Sequence, residues 1–144
     1  MRQTRHGKDS RKFFDWLEIA ARDLLAANLL IKEEQCYDIA GFHCQQCIEK
    51  SLKAYIIDRT GLLVDGHNLT WLCRQAMKHN PVFGQWVEKT AQMNRLYIET
   101  RYPSDIDLKF DEGKILEIYE TAREIYNFVC SEIYNGDGSL DDDD

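Results

Sequence analysis

The 144 residues suffice for one ordinary domain and are too few for two. Hydrophobic residues at 44% and charged residues at 30% are globular proportions and exclude a wholly disordered chain. A formal charge of −7, with a head of +4 over residues 1–12 and a tail of −5 from Asp137, leaves −6 on the body. So acidic a body argues against general nucleic-acid binding, in which Lys and Arg must neutralise phosphates.

The sequence predicts a basic disordered head over 1–10, a helical bundle over 11–135 and an acidic disordered tail over 136–144. The first helix is expected from about Arg11 to Glu34, with Asp9 or Ser10 as N-cap. Phe13, Leu17, Ala20, Leu24, Ala27 and Ile31 recur there every three or four residues, and Asp15, Glu18 and Arg22 fall on the other side. A second helix runs from about Tyr37 to Arg59 and stops before Gly61. Ala40, Cys44, Cys47, Ile48, Leu52 and Tyr55 form its apolar arc. The facing arc holds Gln46, Glu49, Lys50 and Lys53, edged by His43, so this rod is expected to have a core face and a polar face.

A loop with Gly61 and Gly66 leads to a short helix from about Asn68 to Lys78, which Asn80-Pro81 breaks. The next helix is expected from about Val82 to Thr100. Its stripe of Phe83, Trp86, Val87, Thr90, Asn94, Tyr97 and Arg101 turns from apolar to polar before Pro103 ends it. After a loop over 102–111, a last helix spans about Asp111 to Tyr134, with Asp111 and Glu112 at its positive end. Together these give an all-α fold, an antiparallel up-and-down bundle of four or five helices.

No stretch approaches the roughly 20 apolar residues that span a bilayer, and the basic N-terminus lacks the apolar run of a signal peptide. Five cysteines, an odd number, are expected as reduced thiols in the cytoplasm. Cys44 and Cys47 share a helix face and invite comparison with half a zinc site. No second paired motif completes it, so core packing is the expectation and no metal is implied. Arg74 and His79, five residues apart, would diverge on a continuous helix.

The most informative constellation is the polar flank of the second helix set against Asn94, Tyr97 and Arg101 of the fourth, leading into Tyr102, Pro103 and Asp105. Arg and Lys in such a cleft suit phosphate or carboxylate. An internal polar network, such as Glu49 paired with Arg101, is the structural alternative, and both stand at this point.

Three segments carry a family resemblance. His43 to Ala54 resembles the Q-Q-x-x-E-K-x-L-K-A helix of HEPN domains, His67-Asn68-Leu69-x-x-Leu72 their H-x-L-x-x-L segment, and Tyr97-Ile98-x-x-Arg101-Tyr102-Pro103 the Y-x-x-x-R-Y-P signature of a prokaryotic branch. The resemblance implies a commonly homodimeric bundle, often encoded beside a minimal nucleotidyltransferase, with a nucleotide as ligand and no cofactor required. By that resemblance Arg101 and Lys53 would contact phosphate and Lys50 would add positive field. Tyr97 or Tyr102 would stack, and Gln46, Glu49 and His67 would orient them. Other branches are metal-independent ribonucleases, often toxins of toxin–antitoxin pairs, with Arg and His four to six residues apart. No histidine follows Arg101 here, so that chemistry would need a substitute acid such as Asp105.

Overall fold

The computed structural model describes residues 9–101 and 111–135, the side chains of 96–101 excepted. The expected head, tail and loop therefore lie outside the described residues, apart from their edges. Five α-helices follow one another: α1 (Phe13–Lys32), α2 (Tyr37–Thr60), α3 (Leu69–Met77), α4 (Val87–Arg101) and α5 (Glu112–Asn135). A 3₁₀ turn, Pro81–Trp86, precedes α4. There is no strand among the described residues, and the fold is the expected all-α bundle.

Chain direction follows from local contacts. α1 and α2 are joined by a tight turn in which Glu34 and Cys36 take left-handed backbone conformations (φ 56° and 50°). Such angles cost about 1 kcal/mol or more for residues with a Cβ, and packing between the two helices offsets that. The ring of Phe13 meets Tyr134 at 6.1 Å, so α5 runs antiparallel to α1. At the far end of α2, Arg59 donates to the Glu132 carbonyl at 3.2 Å and lies near the Glu132 carboxylate at 3.5 Å. Gly61 closes α2 in a left-handed cap (φ 74°), its N–H donating to Ile57 O, as its position predicts.

α2 is the central rod, packed by α1, α5, α3 and α4. Its apolar arc is buried as expected: Ala40, Cys44, Cys47, Ile48, Leu52 and Tyr55 are inaccessible to solvent. Its polar arc departs from expectation, because Glu49 and Lys53 are buried as well and Gln46 and Lys50 are half-buried. Sequence spacing places residues around a helix but does not say which neighbours cover them, and here α1 covers much of the arc. Below it, Tyr55, Phe83, Trp86 and Phe128 form an aromatic cluster with ring centroids 4.7–5.8 Å apart.

Three local expectations change. α1 is preceded by Lys12, not capped by Asp9 or Ser10; the Ser10 hydroxyl instead accepts from Lys12 N–H and donates to Asp15. Residues 81–86 form a 3₁₀ turn where an α-helix was expected, with Pro81 at its first position and the Asn80 side chain accepting from Val82 N–H. Asn94 does not point a free amide into a cleft. Its oxygen accepts from Leu69 N–H at 2.9 Å and its nitrogen donates to Thr70 and Asn68, clamping α4 to the start of α3.

Burial raises the Cys44 thiol well above its ordinary range, Cys47 to about 12 and Cys73 to about 11. Thiolate is the reactive form. Alkylation of the native protein at pH 8 should therefore label exposed Cys36 quickly, while Cys44, Cys47 and Cys73 react only after denaturation. The same shifts fix the sign of the pH dependence. Folded pKa values above the ordinary 9.0 mean that stability is complete below pH 9 and declines as pH rises from 9 toward 12, measured by urea unfolding across that range.

Candidate functional site

Two polar clusters lie along the flank of α2. In the first, Lys50 Nζ donates to Gln46 Oε1 at 2.7 Å, one helical turn away, and approaches Asp23 Oδ2 at 3.4 Å. The other Asp23 oxygen, Oδ1, takes His43 Nδ1 at 2.8 Å. Asp23 comes from α1, so a single carboxylate ties a cation and an imidazole of α2 to the neighbouring helix. Gln46 also donates to Gln45 Oε1, at 3.3 Å.

The second cluster is deeper. Lys53 Nζ donates to Glu49 Oε2 at 3.1 Å, and both side chains are about 95% removed from solvent. The same oxygen takes His67 Nδ1 at 2.8 Å, from the segment before α3. His67 itself stays 80% exposed. The Lys53 ammonium also sits 5.5 Å from the Trp16 ring centroid, a cation–π contact. Trp16 is braced in turn by donating Nε1–H to Ser10 O at 2.8 Å. Glu49 Oε1 is buried and has no hydrogen-bond partner among the described residues.

Of the residues singled out from sequence, Gln46 and Lys50 are thus brought together in the first cluster, and Glu49, Lys53 and His67 in the second. The backbone of Tyr97 and Arg101 continues α4, but their side chains, with Tyr102 and Asp105, lie outside the described residues. Glu49 is engaged by Lys53 and His67. Sequence reasoning missed Trp16 and Asp23. Asp23 carried a usable signal, since it lies three residues after Ala20 and four before Ala27, on the apolar side of its helix. A carboxylate there needs a partner.

Each carboxylate is matched by a cation, so the flank holds charge in balanced form. His43 and His67 are both held through Nδ1, which directs Nε2 away from the carboxylate and orients it for hydrogen bonding or proton transfer. Cys44 and Cys47 belong to the core, with Cys47 Sγ 3.9 Å from Ser51 Oγ. No group of three or more His, Cys, Asp or Glu side chains among the described residues could hold a metal ion. Arg74 and His79 diverge: Arg74 borders an open concavity with Asn68, Thr70 and Trp71, while the His79 ring lies 6.5 Å from that of Tyr55. No helix among the described residues is long and apolar enough to cross a membrane.

Comparison with known proteins gives a consistent picture. A family model described as the HEPN domain matches residues 14–133. The crystal structure of an archaeal HEPN homologue superposes with a TM-score of 0.67 at 25% identity, covering 85% of this chain and 98% of that one. No curated protein matches the chain.

Removing one member of a buried ion pair strands the other. Glu49→Ala should therefore lower unfolding free energy by about 3–5 kcal/mol, read as a lower urea midpoint. Lys53→Met, which removes the charge but keeps the length of the side chain over Trp16, should cost less than Lys53→Ala. Equal losses for those two variants would contradict the packing role of the stem.

Proposed function

The chain belongs to the HEPN domain family, and on that premise we propose that it is a binding module for a nucleotide or another phosphate-bearing ligand, held against the flank of α2. The observation that carries this reading is Glu49. A buried carboxylate oxygen without a partner is uncommon in folded proteins and calls for a donor. A ribose hydroxyl or an exocyclic amine supplies one, and the exposed imidazole of His67, bonded to Glu49 Oε2 through Nδ1, leaves its Nε2 as a further polar contact.

In this reading Glu49 and His67 recognise the sugar or base. Lys50 contributes positive field, and Lys53, buried against Glu49, holds that carboxylate in place. Arg101 supplies the bidentate phosphate contact, with Tyr97 or Tyr102 stacking on the base. No cofactor is required. The module works as a homodimer, and a minimal nucleotidyltransferase is its partner protein.

A second reading is a metal-independent ribonuclease with Arg101 stabilising the transition state. One observation favours it: His67, oriented by the Glu49 carboxylate and open to solvent, offers the base that the Arg101 segment lacks. Asp105 is the alternative acid on the Arg101 side.

Isothermal titration with nucleoside triphosphates separates these readings. The binding module gives saturable heat with intact ligand, and Arg101→Ala and Glu49→Gln each weaken it by about tenfold, the loss of one charge-assisted contact. No heat at millimolar ligand would contradict it. Cleavage of transfer RNA in the presence of EDTA, abolished by Arg101→Ala and by His67→Ala, would establish the ribonuclease instead.

A further inference from the structure

Leu69, Leu72, Cys73 and Ala76 of α3 pack into the core and are inaccessible to solvent. At 100° per residue, Thr70, Arg74 and Trp71 fall within an arc of about 100° on the side away from them. With Asn68, Ala91 and Asn94 they border the open concavity between α3 and α4. Of the three tryptophans, Trp16 donates its indole N–H to Ser10 O and Trp86 to Glu124. Trp71 is 42% accessible, and its indole N–H has no acceptor among the described residues. Arg74, one turn along the same side, has no ion-pair partner among the described residues. No acid lines the concavity, although the body of the chain is acidic. Its polar floor is fixed: Asn94 bonds to Leu69 N–H, Thr70 and Asn68, and Asn68 Oδ1 also accepts from Trp71 N–H. With that oxygen taken twice, the Asn68 amide nitrogen keeps its own donors for a ligand.

We propose that this concavity binds a small planar monoanion, an aromatic carboxylate, with its ring on the indole of Trp71 and its carboxylate on the guanidinium of Arg74. Residues three apart on a helix stand about 5–6 Å from one another at Cβ, within the span of one ring and its attached carboxylate. The guanidinium fork matches a carboxylate through two parallel N–H···O bonds, and the indole face prefers a flat ring to an aliphatic one. One cation with no acid beside it suits a single negative charge. A polyphosphate would set several charges against one cation on an acidic body. The site shares no residue with the Glu49 and Asp23 clusters, so the proposal is independent of the nucleotide reading.

Titrating benzoate into the full chain while following the indole N–H resonances of the three tryptophans by NMR tests it. The Trp71 signal, identified by its loss in Trp71→Phe, should move to saturation while those of Trp16 and Trp86 stay in place. Benzamide keeps the ring without the charge, and cyclohexanecarboxylate keeps the charge without the ring. Each should bind at least about tenfold more weakly than benzoate. Arg74→Gln should weaken benzoate by at least about tenfold, with unchanged circular dichroism because Arg74 is exposed. A Trp71 signal that stays fixed at tens of millimolar benzoate would overturn the site. Equal affinities for benzoate and cyclohexanecarboxylate would refute stacking on Trp71, and an Arg74→Gln variant that binds benzoate as well as the wild type would refute the guanidinium contact. A nucleoside triphosphate that moves the Trp71 signal at lower concentration than benzoate would overturn the monoanion.

Discussion

One carboxylate oxygen organises the flank of this bundle. Glu49 Oε2 is shared by Lys53 and His67, and Lys53 lies over Trp16, so α1, α2 and the segment before α3 are held to one point. Removing Glu49 and Lys53 from water costs several kcal/mol per ion, and their mutual attraction recovers that only because the geometry is tight. An apolar pair of similar volume would satisfy packing as well or better. Retention of charge at the middle of the central helix, with one oxygen lacking a partner among the described residues, is therefore the feature that packing alone does not explain.

Asp23 repeats the arrangement with less burial. It gathers His43 and Lys50, and Gln46 completes the bonding of the lysine. The consequence is a surface whose cations are preorganised by carboxylates and whose two imidazoles are fixed in orientation. Positive groups held in this way lose little side-chain entropy when a ligand arrives. The charge is compensated, so binding an anion requires a further cation, and Arg101 at the end of α4 fills that role in the proposed function.

The helical spacing of apolar residues made the bundle legible, because burial acts on whole faces and leaves a periodic trace. Ala40, Cys44, Cys47, Ile48, Leu52 and Tyr55 of α2 lie in the core where the spacing put them. The polar arc of α2 was harder to read. Its composition matches a solvated face, and only the approach of Trp16 and Asp23 from α1 turns it into a half-enclosed one. Asn94 misled for a related reason: its amide serves as a capping group for α3, a partnership between residues about 25 apart that leaves no periodic trace. The site residues Gln46, Glu49, Lys50 and Lys53 emerged from helical spacing and motif resemblance together, and His67 from the resemblance alone. Their grouping was foreseeable, but the choice of Glu49 as the hub was not, since an acid four residues before a lysine is common on exposed helices.

The central claim is that Glu49 is kept for a ligand and not for packing alone. It is tested most directly by following the carboxylate carbon of Glu49 by NMR while a nucleoside triphosphate is titrated into the full chain. A ligand donating to Oε1 shifts that resonance progressively to saturation, together with the ring nitrogens of His67. Resonances of Glu49 and His67 that stay fixed while other parts of the protein respond would place the ligand elsewhere and leave the buried pair a purely structural element.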